Sequence, residues 1–153
     1  MDERITIPEV GETLSPLEVL VTSERVRAYA DAANDHNPIH LDAAFAATTH
    51  FGGPIAHGML LLAYLARVLG GRFGRAWGEN GTLEARFRGP ALVGTSVRIQ
   101  GTVRSVTEAA DGIQVECILQ CVDPSGQTLV QATARVRLPG QGIGQGTRAS
   151  SGA

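Results

Sequence analysis

His57-Gly58-Met59-Leu60-Leu61-Leu62-Ala63-Tyr64-Leu65-Ala66-Arg67-Val68-Leu69-Gly70-Gly71 is the stretch on which the fold turns. It begins His57-Gly58, runs through apolar residues on nearly every helical face, and meets Gly70-Gly71, which predicts a helix closed there. A helix that is apolar all round is buried inside something else. The second half of the chain supplies it. Thr82 to Arg88, Ser96 to Val106, Ile113 to Val122 and Thr128 to Leu138 read as strands. In the last, Val130, Ala132, Ala134, Val136 and Leu138 share one face, and Gln131, Thr133, Arg135 and Arg137 the other. Asp111-Gly112 and Asp123-Pro124-Ser125-Gly126 are turn signals between neighbours, so the pairing is antiparallel. The fold class is α+β, an antiparallel sheet curled around one buried helix.

On the amino-terminal side, Leu17 to Val21 reads as a first strand and Ser23 as the cap of a helix. Val26, Tyr29, Ala30 and Ala33 give that helix its apolar face. It must end between Asn34 and Asn37, because Pro38 disfavours helical backbone at the residue before it. A short helical stretch follows at Ala43 to Ala47, and Gly52-Gly53-Pro54 breaks the chain. Residues 1–139 are expected to form one domain, and the Gly/Ser-rich tail 140–153 to be disordered.

Composition narrows the function classes. The 153 residues carry a formal net charge of −2, which argues against nucleic-acid binding by bulk electrostatics. All 13 basic residues are arginine, which we read as a genomic composition bias. Met1-Asp2-Glu3-Arg4 does not begin a signal peptide, and the apolar run from Gly58 to Ala66 is far short of the roughly 20 residues that span a bilayer. A cytoplasmic protein with no membrane partner is expected. Cys117 and Cys121, four apart on one strand, would sit roughly 13 Å from each other. A disulfide needs less than about 7 Å, so none is expected.

The densest polar cluster is Asn34-Asp35-His36-Asn37-Pro38-Ile39-His40, placed where a helix is forced to stop. Asp35 is unfavourable at a helix C-terminus, which prefers cations, and this hints at another use. A solvated loop of turn-formers remains the plain alternative. His36 and His40 have the i, i+4 spacing of a helical zinc pair, but Pro38 lies between them and no Cys or Glu completes a site, so no metal is expected. An acid–base reading fits better. Asp35 and His40, on a segment stiffened by Pro38, can hold one water between them, and histidine suits proton transfer near neutral pH. Asn37 is expected to brace the loop through backbone groups while lying within reach of a bound substrate.

Gly58 opens the buried helix. Its N–H is one of the unpaired donors of a helix N-terminus, and the missing side chain lets a ligand oxygen approach. A tight start to a packed helix would explain it equally. His57 reads as a hydrogen-bonding residue at the same place, and His50 carries no assigned role. None of Ser15, Ser23, Ser96 and Ser105 has a His beside it in sequence, and there is no glycine-rich phosphate loop, so neither a nucleophile nor a nucleotide cofactor is indicated.

Tyr29-Ala30-Asp31-Ala32-Ala33-Asn34-Asp35-His36-Asn37-Pro38-Ile39-His40 closely resembles the hydratase-2 motif of the MaoC-like hot-dog family, which includes the (R)-specific enoyl-CoA hydratases. The runs Phe45 to Thr49 and Pro54 to Leu60 resemble the family's continuation, and the likeness covers about residues 10 to 138. It implies a hot-dog fold, a long central helix wrapped by an antiparallel sheet, and a homodimer or higher homo-oligomer. It implies reversible hydration of a trans-2-enoyl thioester to an (R)-3-hydroxyacyl thioester, with Asp35 and His40 catalytic. Gly58 would hold the thioester oxygen, with Asn37 and His57 beside the substrate. No cofactor is implied beyond the CoA or acyl carrier protein of the substrate. Arg72, Arg75 and Arg88 are candidates for the CoA phosphates. The chain departs from the family in having Ala33-Asn34 where Ser-Gly often precedes the Asp, and Ala66 where some relatives place a serine. The alternatives are a hot-dog acyl-thioesterase, against which no Asp or Glu stands between Met59 and Leu69, and a non-catalytic acyl-thioester-binding subunit of a dehydratase pair.

Overall fold

The computed structural model describes residues 5–140. The chain runs β1 (Leu17–Leu20), α1 (Ser23–Ala33), α2 (Pro38–Leu41), α3 (Ala43–Ala47), α4 (Gly58–Asn80), β2 (Thr82–Phe87), β3 (Ser96–Ala109), β4 (Gly112–Val122) and β5 (Thr128–Leu138). The five strands form one antiparallel sheet in the order β1-β3-β4-β5-β2. The two hairpins fall where the Asp-Gly and Pro-Ser-Gly turns place them. The alternation of β5 is physical: Val130, Ala132, Ala134, Val136 and Leu138 are all buried, and Gln131, Arg135 and Arg137 are exposed.

The inner face of the sheet packs on α4 through Leu61, Leu65, Leu69 and Phe73, spaced by four on one helical stripe. This is the hot-dog fold. The helix differs from expectation in two ways. It continues past Gly70-Gly71 to Asn80, because Phe73, fully buried, and Ala76 hold another turn against the core. The break falls at Gly74, whose φ of 51° and ψ of −131° interrupt the helical path. Nor is α4 buried on every side. A single sheet wraps only part of a helix, and Met59, Ala63, Arg67 and Gly71 form an exposed outward stripe.

The segment before β1 continues the cover along β3. Gly11 and Leu14 donate to Val103 and Gly101, and Val103 donates back to Glu12. A Cβ on Gly101 would lie 2.9 Å from Leu119 Cγ and 3.2 Å from Leu14 Cδ1, so glycine there admits Leu14 to the core. Cys117 and Cys121 are free and buried on one face of β4, and burial pushes both thiols up to about 11. No described helix is long and apolar enough to cross a membrane. Apart from Gly140, the expected disordered tail lies outside the described residues.

Candidate active site

The site begins where α1 stops. Thr22, extended, caps α1 by accepting from the Arg25 N–H at 3.2 Å; the cap is therefore one residue before Ser23. At the other end Asn34 adopts the left-handed conformation, φ 52° and ψ 41°, and Ala30 O takes the N–H groups of both Asn34 and Asp35. Asparagine tolerates this conformation better than any residue with a bulkier or branched side chain. The helical path thus ends one residue before Asp35.

Asn37 then starts α2. Its Oδ1 accepts the Ile39 N–H at 3.1 Å, Pro38 occupies the first helical turn, and the Asn37 carbonyl accepts the His40 N–H. The side chain of Asn37 thus braces the loop. Its own N–H donates to Asp35 Oδ1 at 3.3 Å. The ring of His40 is fixed from across the chain. Its Nδ1 lies 2.7 Å from the Ile55 carbonyl, which can only accept, so Nδ1 carries the hydrogen and, in the neutral ring, Nε2 presents a lone pair. Ile55 returns the tie by donating its N–H to Ile39 O at 3.2 Å.

His57 caps α4 with extended backbone and is 2% exposed. Its ring stacks on that of His40 with centroids 3.7 Å apart and planes at 27°. Its Nε2 donates to the main-chain carbonyl of Asp35 at 3.0 Å, and Tyr29 of α1 leans on it at 4.9 Å. Asp35, His40 and His57 each bring a polar atom to within 4.8 Å of the others'. Such a group is close enough to tempt a metal. The Nε2 of His57 and the Nδ1 of His40 are both committed to carbonyls, however, which leaves His57 only its buried Nδ1.

Gly58 is the first residue of α4, so its N–H has no intrahelical acceptor and lies at the positive end of the helix dipole. The space a side chain would take there is filled by the ring of Phe87, whose Cε1 would lie 2.9 Å from a Cβ. A side chain at 58 would have to displace that half-exposed ring.

Other candidates are placed elsewhere. His36 and His40 are not a metal pair: His36 bonds Asp31 at 2.8 Å on the exposed side of α1. His50 lies against Phe51. Ala66, half-buried on α4, offers no polar group. Arg72 is not free for a phosphate, because it bonds Glu12 at 2.6 Å and Thr6 O at 3.2 Å, and Arg75 pairs with Glu79. Arg88, the third candidate, reaches Gln131 only at 3.5 Å. Two parts of the site gave no signal in the sequence. The carbonyls of Ile55 and Asp35 are backbone atoms that any residue type would supply. Tyr29 reads in the sequence as part of the apolar face of α1 and as the opening of the motif, with no role of its own at the site.

A carboxylate and two imidazoles are thus gathered at the start of the central helix of a hot-dog fold, a set of groups capable of acid–base chemistry. The family model described as MaoC like domain matches residues 7–120, and the chain belongs to that family. It is 34% identical over 131 residues to the (R)-specific enoyl-CoA hydratase of Aeromonas caviae, covering 86% of this chain and 96% of the relative. It is 34% identical over 115 residues to 3-hydroxyacyl-thioester dehydratase Z of Mycobacterium tuberculosis, covering 71% and 74%. The solved (R)-hydratase of A. caviae superposes with a TM-score of 0.75 at 32% identity, over 86% of this chain and 98% of that one. The ChsH1-ChsH2 complex of M. tuberculosis, at 16% identity and a TM-score of 0.74, shares the fold.

Proposed function

We propose that the chain is a hydro-lyase that adds water reversibly to trans-2-enoyl thioesters, giving (R)-3-hydroxyacyl thioesters, with CoA or acyl carrier protein as the carrier. The observation that carries this is the gathering of Asp35 and His40, on a loop bound to Ile55, beside the free N–H of Gly58. Membership of a family with named hydratases and dehydratases supports the substrate class.

The thioester carbonyl withdraws electrons from C3, so water attacks there and negative charge grows on the carbonyl oxygen. The Gly58 N–H, backed by the dipole of α4, stabilises that oxygen. Asp35 and His40 orient the water and take its proton, for which Nε2 of His40 presents its lone pair; one of the pair returns a proton to C2. Asn37 holds the loop on which both stand. The step needs no metal or redox cofactor.

The working unit in this reading is a homodimer. Among the described residues the outer edge of β2 pairs with no strand, and Phe87 beside it and Met59 on α4 are more than half exposed. The reduced, buried cysteines fit a cytoplasmic setting. The thioesterase reading is disfavoured because no carboxylate stands on α4 before Glu79. A non-catalytic subunit is disfavoured by the presence of both Asp35 and His40.

Incubation with crotonyl-CoA and longer enoyl-CoA tests the proposal. Enoyl absorbance should fall, the product should be oxidised by an (R)-specific and not an (S)-specific 3-hydroxyacyl-CoA dehydrogenase, and no free thiol should appear. Release of thiol without hydration would turn the assignment to thioesterase, and inertness on every enoyl thioester would end it.

A further inference from the structure

His57 is the polar side chain of this site for which the hydration step has no use. Its ring is 2% exposed. Its Nε2–H has one partner, the main-chain carbonyl of Asp35, and its Nδ1 is buried with none. A carbonyl can only accept, so the hydrogen sits on Nε2 and, in the neutral ring, Nδ1 is an unsatisfied lone pair. Leaving such an atom unpaired carries a desolvation penalty, which an apolar side chain of similar size would avoid. A polar ring kept under that penalty calls for a reason, and the only polar bond it makes is the one to Asp35.

That bond differs in kind from the others around Asp35. The Asp35 N–H goes to Ala30, its Oδ1 takes the Asn37 N–H, and the neighbouring His36 goes to Asp31. All three lie within residues 30–37, so they shape the turn but do not fix it relative to the rest of the site. The His57 bond spans 22 residues and ties the turn to the start of α4, one residue from Gly58. Meanwhile the face of the same ring lies against His40. His40 is itself held from Ile55, only two residues before His57. One side chain therefore touches both members of the acid–base pair and sits next to the oxyanion donor.

We propose that His57 is a positioning residue: its Nε2–H fixes the main chain of Asp35, and its ring face fixes the plane of His40, at a set distance from the Gly58 N–H. The proposal rests on the hydratase reading for its role in turnover, but its geometric half stands without it.

Two substitutions separate positioning from mere structure. His57→Gln can place an amide N–H where Nε2 stands. His57→Leu fills the volume and donates nothing. Displacing a reacting group by about 1 Å can cost on the order of 100-fold. His57→Leu should therefore lose kcat on crotonyl-CoA by about that factor, with KM nearly unchanged, while its thermal midpoint stays at or above that of the wild type. His57→Gln should recover at least about a tenth of the wild-type kcat, that is, come within about 1.4 kcal/mol of the wild-type barrier. Wild-type kcat in His57→Leu, or a Gln variant no better than the Leu one, would overturn the proposal. A loss in KM alone would overturn it too.

Imidazole nitrogen-15 spectra of the wild-type protein provide an arm independent of turnover. They should show His57 protonated at Nε2 and that proton slow to exchange. An Nδ1-protonated His57 would refute the proposed anchor even in a fully active enzyme. An inert wild type with the Nε2–H in place would remove the hydratase reading and leave the anchor standing.

Discussion

Replacing Asp35 with asparagine changes charge and almost nothing else. The side chain is exposed, and its one recorded contact, the Asn37 N–H at 3.3 Å, is to an oxygen that asparagine also has. The carbonyl accepting from His57 belongs to the main chain and stays. The fold should lose no more than about 0.5 kcal/mol, as for most surface substitutions. Turnover should respond very differently. Removing a positioned general base forfeits about 10²–10⁴ in rate, or about 3 to 5 kcal/mol of barrier. The assay is the steady-state loss of enoyl absorbance with crotonyl-CoA, alongside a urea melt. Asp31→Asn is the control: it removes a carboxylate one helical turn away whose partner is the exposed His36, and it should change kcat by no more than about threefold, under 1 kcal/mol. An Asp35→Asn enzyme keeping more than about a tenth of the wild-type kcat would refute the assignment of Asp35 as an acid–base group. Equal losses in both variants would point to general charge and refute it as well.

Further outcomes follow from the fold. Phe73→Ala, at a fully buried position on α4, should cost about 3–5 kcal/mol in a denaturant titration. Asn34→Val puts a branched residue at φ 52° and should lose about 1–2 kcal/mol in the same titration, while Asn34→Gly should be neutral or better. The Arg72 guanidinium holds the Glu12 carboxyl below its usual range. A lowered acid pKa means stability that is full above the carboxylate's ordinary value and lost as pH falls through the lowered one. Arg72→Leu should thus be weaker by about 1 kcal/mol at pH 7, and the gap should close towards pH 3. Dialysis against EDTA should leave hydration unchanged, since the proposed step uses no ion; loss of activity restored by a divalent metal would reverse that.

How much could be read from residues alone depended on whether the signal lay in side-chain type. The alternation in β5 and the turn residues around β4 set the sheet, and all are side-chain signals. Gly70-Gly71 has the chemistry of a stop, yet α4 runs on to Asn80. What overrode it was Phe73, whose burial depends on where the sheet lies, a matter of tertiary contact. The motif made Asp35 and His40 conspicuous as a pair. The atoms that hold them, the carbonyls of Ile55 and Asp35, are 15 and 22 residues from their histidine partners and carry no residue-type signature. Arg72 illustrates the converse: a cation is obvious in a sequence, but its commitment to Glu12, 60 positions earlier, is not.

Ile55 gives its N–H to Ile39 and its carbonyl to His40, so the strip bearing the imidazole and the strip leading to Gly58 are stitched by one residue. Neither strip can lift away without breaking both stitches at once. Amide exchange at Ile55 should therefore count how often the reaction centre comes apart, and a molecule bound across the seam should slow it.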